Sequence, residues 1–390
     1  MLAANLWVYC TWRLCEMTKS PHPEDRSTKT VQRAAAISTV LGLVILGLDS
    51  SLASGSRASQ YSSDVVDGVS GSEIIESVIA LQGFGPSDGV SSRAFYLNST
   101  DEVAVYIHDR LADLGLYVTY QEFEISGHEV RNVIGVLNGT DPAAPCALFG
   151  AHYDSENYVV DNLSEAVQTY GSAPGADDDA SGVAAVIEIA RVLKDSDFRN
   201  TIKFVAFTAE EAGYDYSGGL KGSTVFAWSE KLAGVSYLGT VIMDMIGYRL
   251  GDQNVLTIIK QGSTDLYSDS IVNAAYQYGI DLSISTLVDP SSDYSDHYPF
   301  WSYGYPSILL IEEFTDTGDL VNPNYHTAND TYDKLSEEQM VATVKATVGG
   351  TLSLLTIEEE HGINIYAVVL AIILVVAVVA YIAVRSRKVE

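Results

Sequence analysis

Cysteine is close to absent. Of three in 390 residues, Cys10 and Cys15 precede an apolar stretch over 34–48, which leaves Cys146 alone in the long central region. No intramolecular disulfide is therefore available there. Basic residues are scarce too: 22 Lys and Arg stand against 51 Asp and Glu, a formal net charge of −29. The first 54 residues hold five basic and four acidic residues and the segment after Val384 three and one, so the central region carries 14 and 46, a net of −32. An anionic surface of that size repels phosphate and excludes a nucleic-acid partner. It suits a salt-rich medium and equally an acidic exported protein. Internal repeats are also lacking.

Two apolar stretches are the first features present. Residues 34–48 follow Lys29 and Arg33 and run into the small residues before Ala53, which resembles a secretory signal. The 33 residues ahead of it are long for such a signal, and a start at Met17 would shorten them while keeping a basic flank. Residues 365–384 are long enough to cross a hydrocarbon core of roughly 30 Å as a helix. Arg385, Arg387 and Lys388 follow at once, so the positive-inside rule puts that tail in the cytoplasm and the acidic region outside. The expected organisation is an N-terminal extension with signal over 1–53, a Ser- and Gly-rich linker over 54–70, one domain over 71–356, a transmembrane helix over 365–384 and a cytoplasmic tail over 385–390. Asn98, Asn138, Asn162 and Asn329 open Asn-x-Ser/Thr patterns, a weak signal for glycosylation.

Within the domain, short β-branched segments alternate with helical patterns. Apolar spacing predicts a helix from Ser72 and a second from Thr100, as N-cap, through Leu114, with Gly115 as its stop. Strands are expected over 117–125, 130–137, 147–150, 200–208, 235–244 and 307–311, and helices over 180–194, 219–232, 266–278 and 336–355. That alternation predicts an α/β fold, a three-layer sandwich with a central, mostly parallel mixed sheet flanked by helices. In such sheets ligands bind beyond the carboxyl ends of the strands.

Polar residues with metal-ligand chemistry fall at those ends. His152 and Asp154, two apart on an extended chain, face the same way, so Asp154 can accept a hydrogen bond from the ring nitrogen of His152 that is not on a metal. Asp177, Asp178 and Asp179 precede a helix; any one could serve as its cap, but three exceed one cap's needs. Glu210 and Glu211 end an apolar strand and point opposite ways, suiting one to hold a metal and the other to take a proton from water. Asp244 sits inside an apolar run, where a cation would compensate its charge. Tyr325 and His326 share a loop before the last helix. Four histidines, His128, His152, His297 and His326, are realistic ligands, and His297 reads as pocket wall or as a structural histidine.

Taken in order, the motifs His-x-Asp-Ser at 152, Gly-Ala-Asp-Asp-Asp-Ala-Ser-Gly at 175, Ala-Glu-Glu at 209, the Asp244 strand end and Tyr-His-Thr at 325 resemble the two-zinc exopeptidase family of bacterial leucyl aminopeptidase, aminopeptidase Y and glutamate carboxypeptidase. The resemblance spans 71–356. It implies that Asp178 bridges two zinc ions, that His152 and Asp244 complete one site, and that Glu211 and His326 complete the other. It further implies that Glu210 is the general base, that Asp154 supports His152, and that Tyr325 steadies the oxyanion. Zinc could be replaced by cobalt or manganese. The implied partner is a peptide substrate, and an acidic mouth leans toward a free α-amine and hence an aminopeptidase. A one-zinc glutaminyl cyclase and a non-catalytic surface receptor share the fold and stand as rivals.

Overall fold

Each of the middle strands is apolar on both sides, and the parity of its residues separates two cores. Phe149, Phe204, Val241, Ile258 and Leu310 join one buried cluster, while their neighbours Leu148, Val205, Ile242, Ile259 and Leu309 join another. Successive side chains on a strand point to opposite faces, so a sheet of such strands must be covered on both. In the computed structural model, which describes residues 62–85, 89–157, 172–211, 219–262, 265–313 and 321–355, helices supply both covers.

The described elements are α1 (Gly71–Gln82), α2 (Asn98–Asp113), β1 (Tyr117–Ile125), β2 (His128–Leu137), β3 (Cys146–His152), α3 (Ala180–Leu193), β4 (Ile202–Phe207), α4 (Lys221–Ala233), β5 (Tyr237–Met243), β6 (Val255–Lys260), α5 (Leu266–Gln277), β7 (Ser283–Val288), α6 (His297–Ser302), β8 (Ser307–Ile311) and α7 (Glu337–Leu355). They form one eight-stranded sheet in the order β1-β2-β4-β3-β5-β8-β6-β7. β3 pairs in parallel with β4 and β5, β5 with β8 and β6 with β7; β1, β2 and β4 pair antiparallel in turn, as do β6 and β8. The mixed three-layer sandwich is the expected one. Helices α1, α2, α3, α5 and α7 pack into the first core, α4 and α6 into the second.

Several details differ from expectation. Strands β6 and β7 and the short helix α6 are additional. Thr100 does not cap α2, which begins two residues earlier at Asn98 after Leu97; its hydroxyl donates instead to the carbonyls of Arg93 and Ala94, at 3.1 and 2.6 Å. Gly115 does end that helix, with φ +86°. Among the described residues no helix is long and apolar enough to cross a membrane; the expected signal at 34–48, the expected span at 365–384 and the tail lie outside the described residues, as does the linker up to residue 61, while residues 62–67 of the expected linker are helical and Val66 and Val69 are buried in the first core.

Candidate metal centre

The parallel strands β3, β4 and β5 deliver their last residues to one edge of the sheet. His152 is the final residue of β3, and Glu210 and Glu211 follow β4 by three and four positions. Asp244 comes directly after β5, its N–H still donating to Leu310 O of β8 at 3.1 Å. Asp178 lies in the turn before α3, and His326 in the loop before α7 with φ +53°. All five, with Glu210, line a single cavity of about 190 Å³, whose other walls are Met245, Tyr294, Ile311 and Tyr325. Tyr325 stacks on the His326 ring with centroids 3.9 Å apart.

Asp178 stands between two groups of donors. Its Oδ1 lies 3.1 Å from His152 Nε2, which is itself 3.6 Å from Asp244 Oδ1. Its Oδ2 lies 2.9 Å from His326 Nε2, which is 3.0 Å from Glu211 Oε2. The two oxygens of one carboxylate thus serve opposite sides, the arrangement of a bridging ligand. Asp178 Oδ2 and Glu211 Oε1 are buried without an aligned hydrogen bond, although an imidazole nitrogen is within ion-pair distance of Asp178 Oδ2. Donors that crowd together without aiming at one another converge on a common point, as ligands around a cation do. These residues fit a divalent metal by that observation and by their mixture of imidazole and carboxylate.

One grouping of ligand atoms places Asp179, with Asp244, beside His152. Its hydrogen bonds assign Asp179 a different task. Asp179 Oδ2 accepts from His152 N at 3.1 Å, and Oδ1 from Gly182 N at 2.8 Å and Met245 N at 3.3 Å. With both oxygens engaged by backbone, it ties β3, α3 and the end of β5 together. A cis peptide bond joins it to Asp178.

Electrostatics follow from burial. Burial pushes Glu210 well above the usual carboxylate range against the pull of His152, and pushes Glu211 up to about 7 against that of His326. Asp178 is buried as well, yet His152 and His326 outweigh that and hold its carboxyl low. Burial disfavours charge on His326, but Glu211 and Asp178 overcome it and lift the imidazole to about 12. Such a concentration of buried carboxylates is unfavourable unless cations compensate it. Glu210, at 9% exposed, is the most accessible carboxylate of the cavity wall.

Asp154 is buried behind the cavity, and its strongest contacts differ from expectation. His152 Nδ1 is 3.2 Å from its backbone carbonyl and 3.7 Å from its carboxylate. The carboxylate instead accepts the backbone N–H groups of Glu210 and Glu211, at 3.1 and 3.2 Å, and so orients the glutamate pair. His297 is structural: wholly buried, edge-on to Trp301, its Nε2 3.0 Å from Ser292 Oγ, and pushed by burial down to about 3. His128 packs near Phe95 and Tyr96, away from the cavity.

Sequence reasoning missed a supporting layer of acids. Asp330 accepts the N–H groups of Asp177 and Asp178, at 2.9 and 3.1 Å, which shapes the Asp178 turn. Asp177 accepts from Gly247 N and Asn322 Nδ2, both at 2.8 Å, and Glu312 from Tyr248 N at 3.1 Å. Glu312 had a signal: like Asp244, it is a carboxylate at the end of an apolar strand.

Two donor sets sharing a buried carboxylate at the carboxyl edge of an α/β sheet define a candidate metal centre. The sequence pattern of Peptidase family M28 matches residues 132–349, more than half of the chain, and the chain belongs to that family. It is 30% identical over 274 residues to the uncharacterized protein YfbL of Escherichia coli, covering 65% of this chain and 80% of that one. It is 28% identical over 271 residues to leucine aminopeptidase 1 of Fusarium vanettenii, covering 65% of this chain but only 62% of the fungal protein. The fold is shared with BSAP, a zinc aminopeptidase from Bacillus subtilis, at a TM-score of 0.61 and 16% identity, over 75% of this chain and 97% of that one. It is shared as well with a glutaminyl cyclase of Porphyromonas gingivalis, at a TM-score of 0.58 and 23% identity, over 74% and 99%. Family and site make this chain a hydrolase of the peptidase class with the donor set of a metal centre.

Proposed function

We propose that the protein releases N-terminal residues from peptides with two zinc ions, His152, Asp178 and Asp244 holding one and Asp178, Glu211 and His326 the other. The observation that carries this reading is the split of the Asp178 carboxylate between the two imidazoles. When bound, such a metal pair supplies a water of pKa near ~7 and polarises the substrate carbonyl. Glu210, lining the cavity beside the ligands, takes the proton of the attacking water and passes it to the leaving amine. Asp154 keeps that glutamate in place through its backbone N–H. Tyr325 donates its hydroxyl to the oxygen on which negative charge develops. The acidic wall attracts a free α-amine, while Met245, Ile311 and Tyr294 offer an apolar surface to the first side chain. A cavity of this size favours a chain end over a chain passing through.

A leucyl anilide with a free amine is expected to be hydrolysed and its N-acetyl counterpart left intact. Dialysis against a chelator should abolish turnover, and zinc should restore it at two ions per chain. A chain that carries one zinc and cyclises N-terminal glutamine without hydrolysing peptides would sink this reading in favour of the cyclase.

The apolar run over 365–384 and its basic flank support a catalytic domain outside the cell, held by one helix with a cytoplasmic end. Protease added to intact cells should then remove the domain and spare an epitope placed after residue 390. Protection of the domain in intact cells would overturn this topology.

A further inference from the structure

Arg93 lies between α1 and α2, outside the residues matched by the family pattern, and is wholly buried. Among the described residues no carboxylate stands within ion-pair distance of it. Its donors go to backbone carbonyls instead: Nε to Tyr153 O at 2.8 Å, Nη1 to Pro174 O and to Leu81 O, and Nη2 to Gly175 O at 2.8 Å. Tyr153 separates His152 from Asp154, and Gly175 precedes Asp178 by three residues. One rigid fork therefore joins the loop that carries an imidazole ligand to the loop that carries the bridging carboxylate. The backbone of Arg93 repeats the link, its N–H donating to Ser155 Oγ at 3.0 Å and Ser155 Oγ to Ala173 O at 2.8 Å. The fit is tight: a Cβ on Gly175, whose φ is +53°, would sit 2.7 Å from Arg93 Nη2 and 2.3 Å from Asp178 O.

We propose that Arg93 is a positioning residue for the metal centre, its planar guanidinium fixing the His152 loop against the Asp178 loop so that the two ligands meet the cation already in register. This rests on the metal reading given above. An ammonium cannot replace it, because three donors on one flexible point do not reproduce a planar set of five. The positive charge also faces Asp330, Asp154, Asp178 and Asp179 without neutralising any of them by contact, so the carboxylates keep their oxygens for backbone donors and for metal.

The test uses the full-length chain as wild type, Arg93→Lys and Ser155→Ala, with zinc affinity read by competition against a chromophoric chelator and coordination read from the visible bands of the cobalt-loaded protein. Supporting residues around a metal commonly change its affinity by ~10- to 100-fold. Arg93→Lys is expected to keep its far-UV circular dichroism, weaken zinc by about that factor, shift the cobalt bands, and lower kcat more than it raises KM. A folded Arg93→Lys protein with wild-type zinc affinity and cobalt bands overturns the proposal, as does weakened binding with unmoved bands. If Arg93→Lys does not fold, Ser155→Ala decides, since it loosens the same two loops with the guanidinium in place: weaker zinc with shifted bands supports the proposal, and unchanged values overturn it. A wild-type chain that binds no zinc removes the metal reading itself, a separate result.

Discussion

Replacing Glu210 by glutamine is expected to leave zinc content at its wild-type level and to lower kcat by about 10²- to 10⁴-fold, the range a positioned acid–base group contributes. The side chains are isosteric, so the cavity keeps its shape, but an amide cannot accept and return a proton. Two contacts isolate the effect. Asp154 holds residue 210 by its backbone N–H, and Leu220 N donates to its carbonyl at 2.7 Å, neither of which depends on the carboxylate. Glu211→Gln provides the contrast, because that side chain faces His326 at 3.0 Å and belongs to the donor set, so its loss should appear first as lost metal. Turnover of a leucyl anilide together with zinc by mass spectrometry separates the two. A kcat within tenfold of wild type for Glu210→Gln would remove that residue from the proton-transfer role.

What the sequence revealed about this site was set by local pattern. Strand ends were legible because apolar, β-branched runs stop abruptly at polar residues, and so His152, Glu210, Glu211 and Asp244 stood out. Strand β7 was not legible: Ser-Ile-Ser-Thr-Leu-Val lies at the sheet edge, mostly exposed, where no buried face imposes a period. Helix α6 is six residues long with a proline inside, too short for helical spacing to emerge. The bracing by Asp330 and Arg93 links positions 150 and 60 or more apart in the chain. Spacing rules carry no trace of such contacts. Asp154 marks the boundary, since its i+2 relation to His152 suggested a ring contact, whereas the fold turns its carboxylate toward the backbone of a strand end some 56 residues away.

The adjacent aspartates Asp178 and Asp179 should fail in different ways. Asp179→Ala leaves three backbone N–H groups, of His152, Gly182 and Met245, buried without their acceptor. Each orphaned donor costs about 1–3 kcal/mol. Relief from burying the carboxylate offsets part of this, because burial and the nearby Asp244 already push Asp179 well above the usual carboxylate range. A net loss of roughly 3–5 kcal/mol is expected, a large share of the ~5–15 kcal/mol that separates folded from unfolded chains. For a domain of this size it corresponds to a fall of about 6–10 °C in melting temperature. Measuring in excess chelator removes the metal contribution, which would otherwise stabilise the wild type by mass action. Under those conditions Asp178→Ala should also melt below wild type, but through a different loss: no backbone donor is orphaned, while the imidazoles of His152 and His326, which hold the Asp178 carboxyl low, lose their shared partner. Without chelator Asp178→Ala falls further below wild type, because it forfeits the stabilisation by bound metal. An Asp179→Ala protein that melts within 2 °C of wild type in chelator would show that its three hydrogen bonds do not hold the sheet edge together.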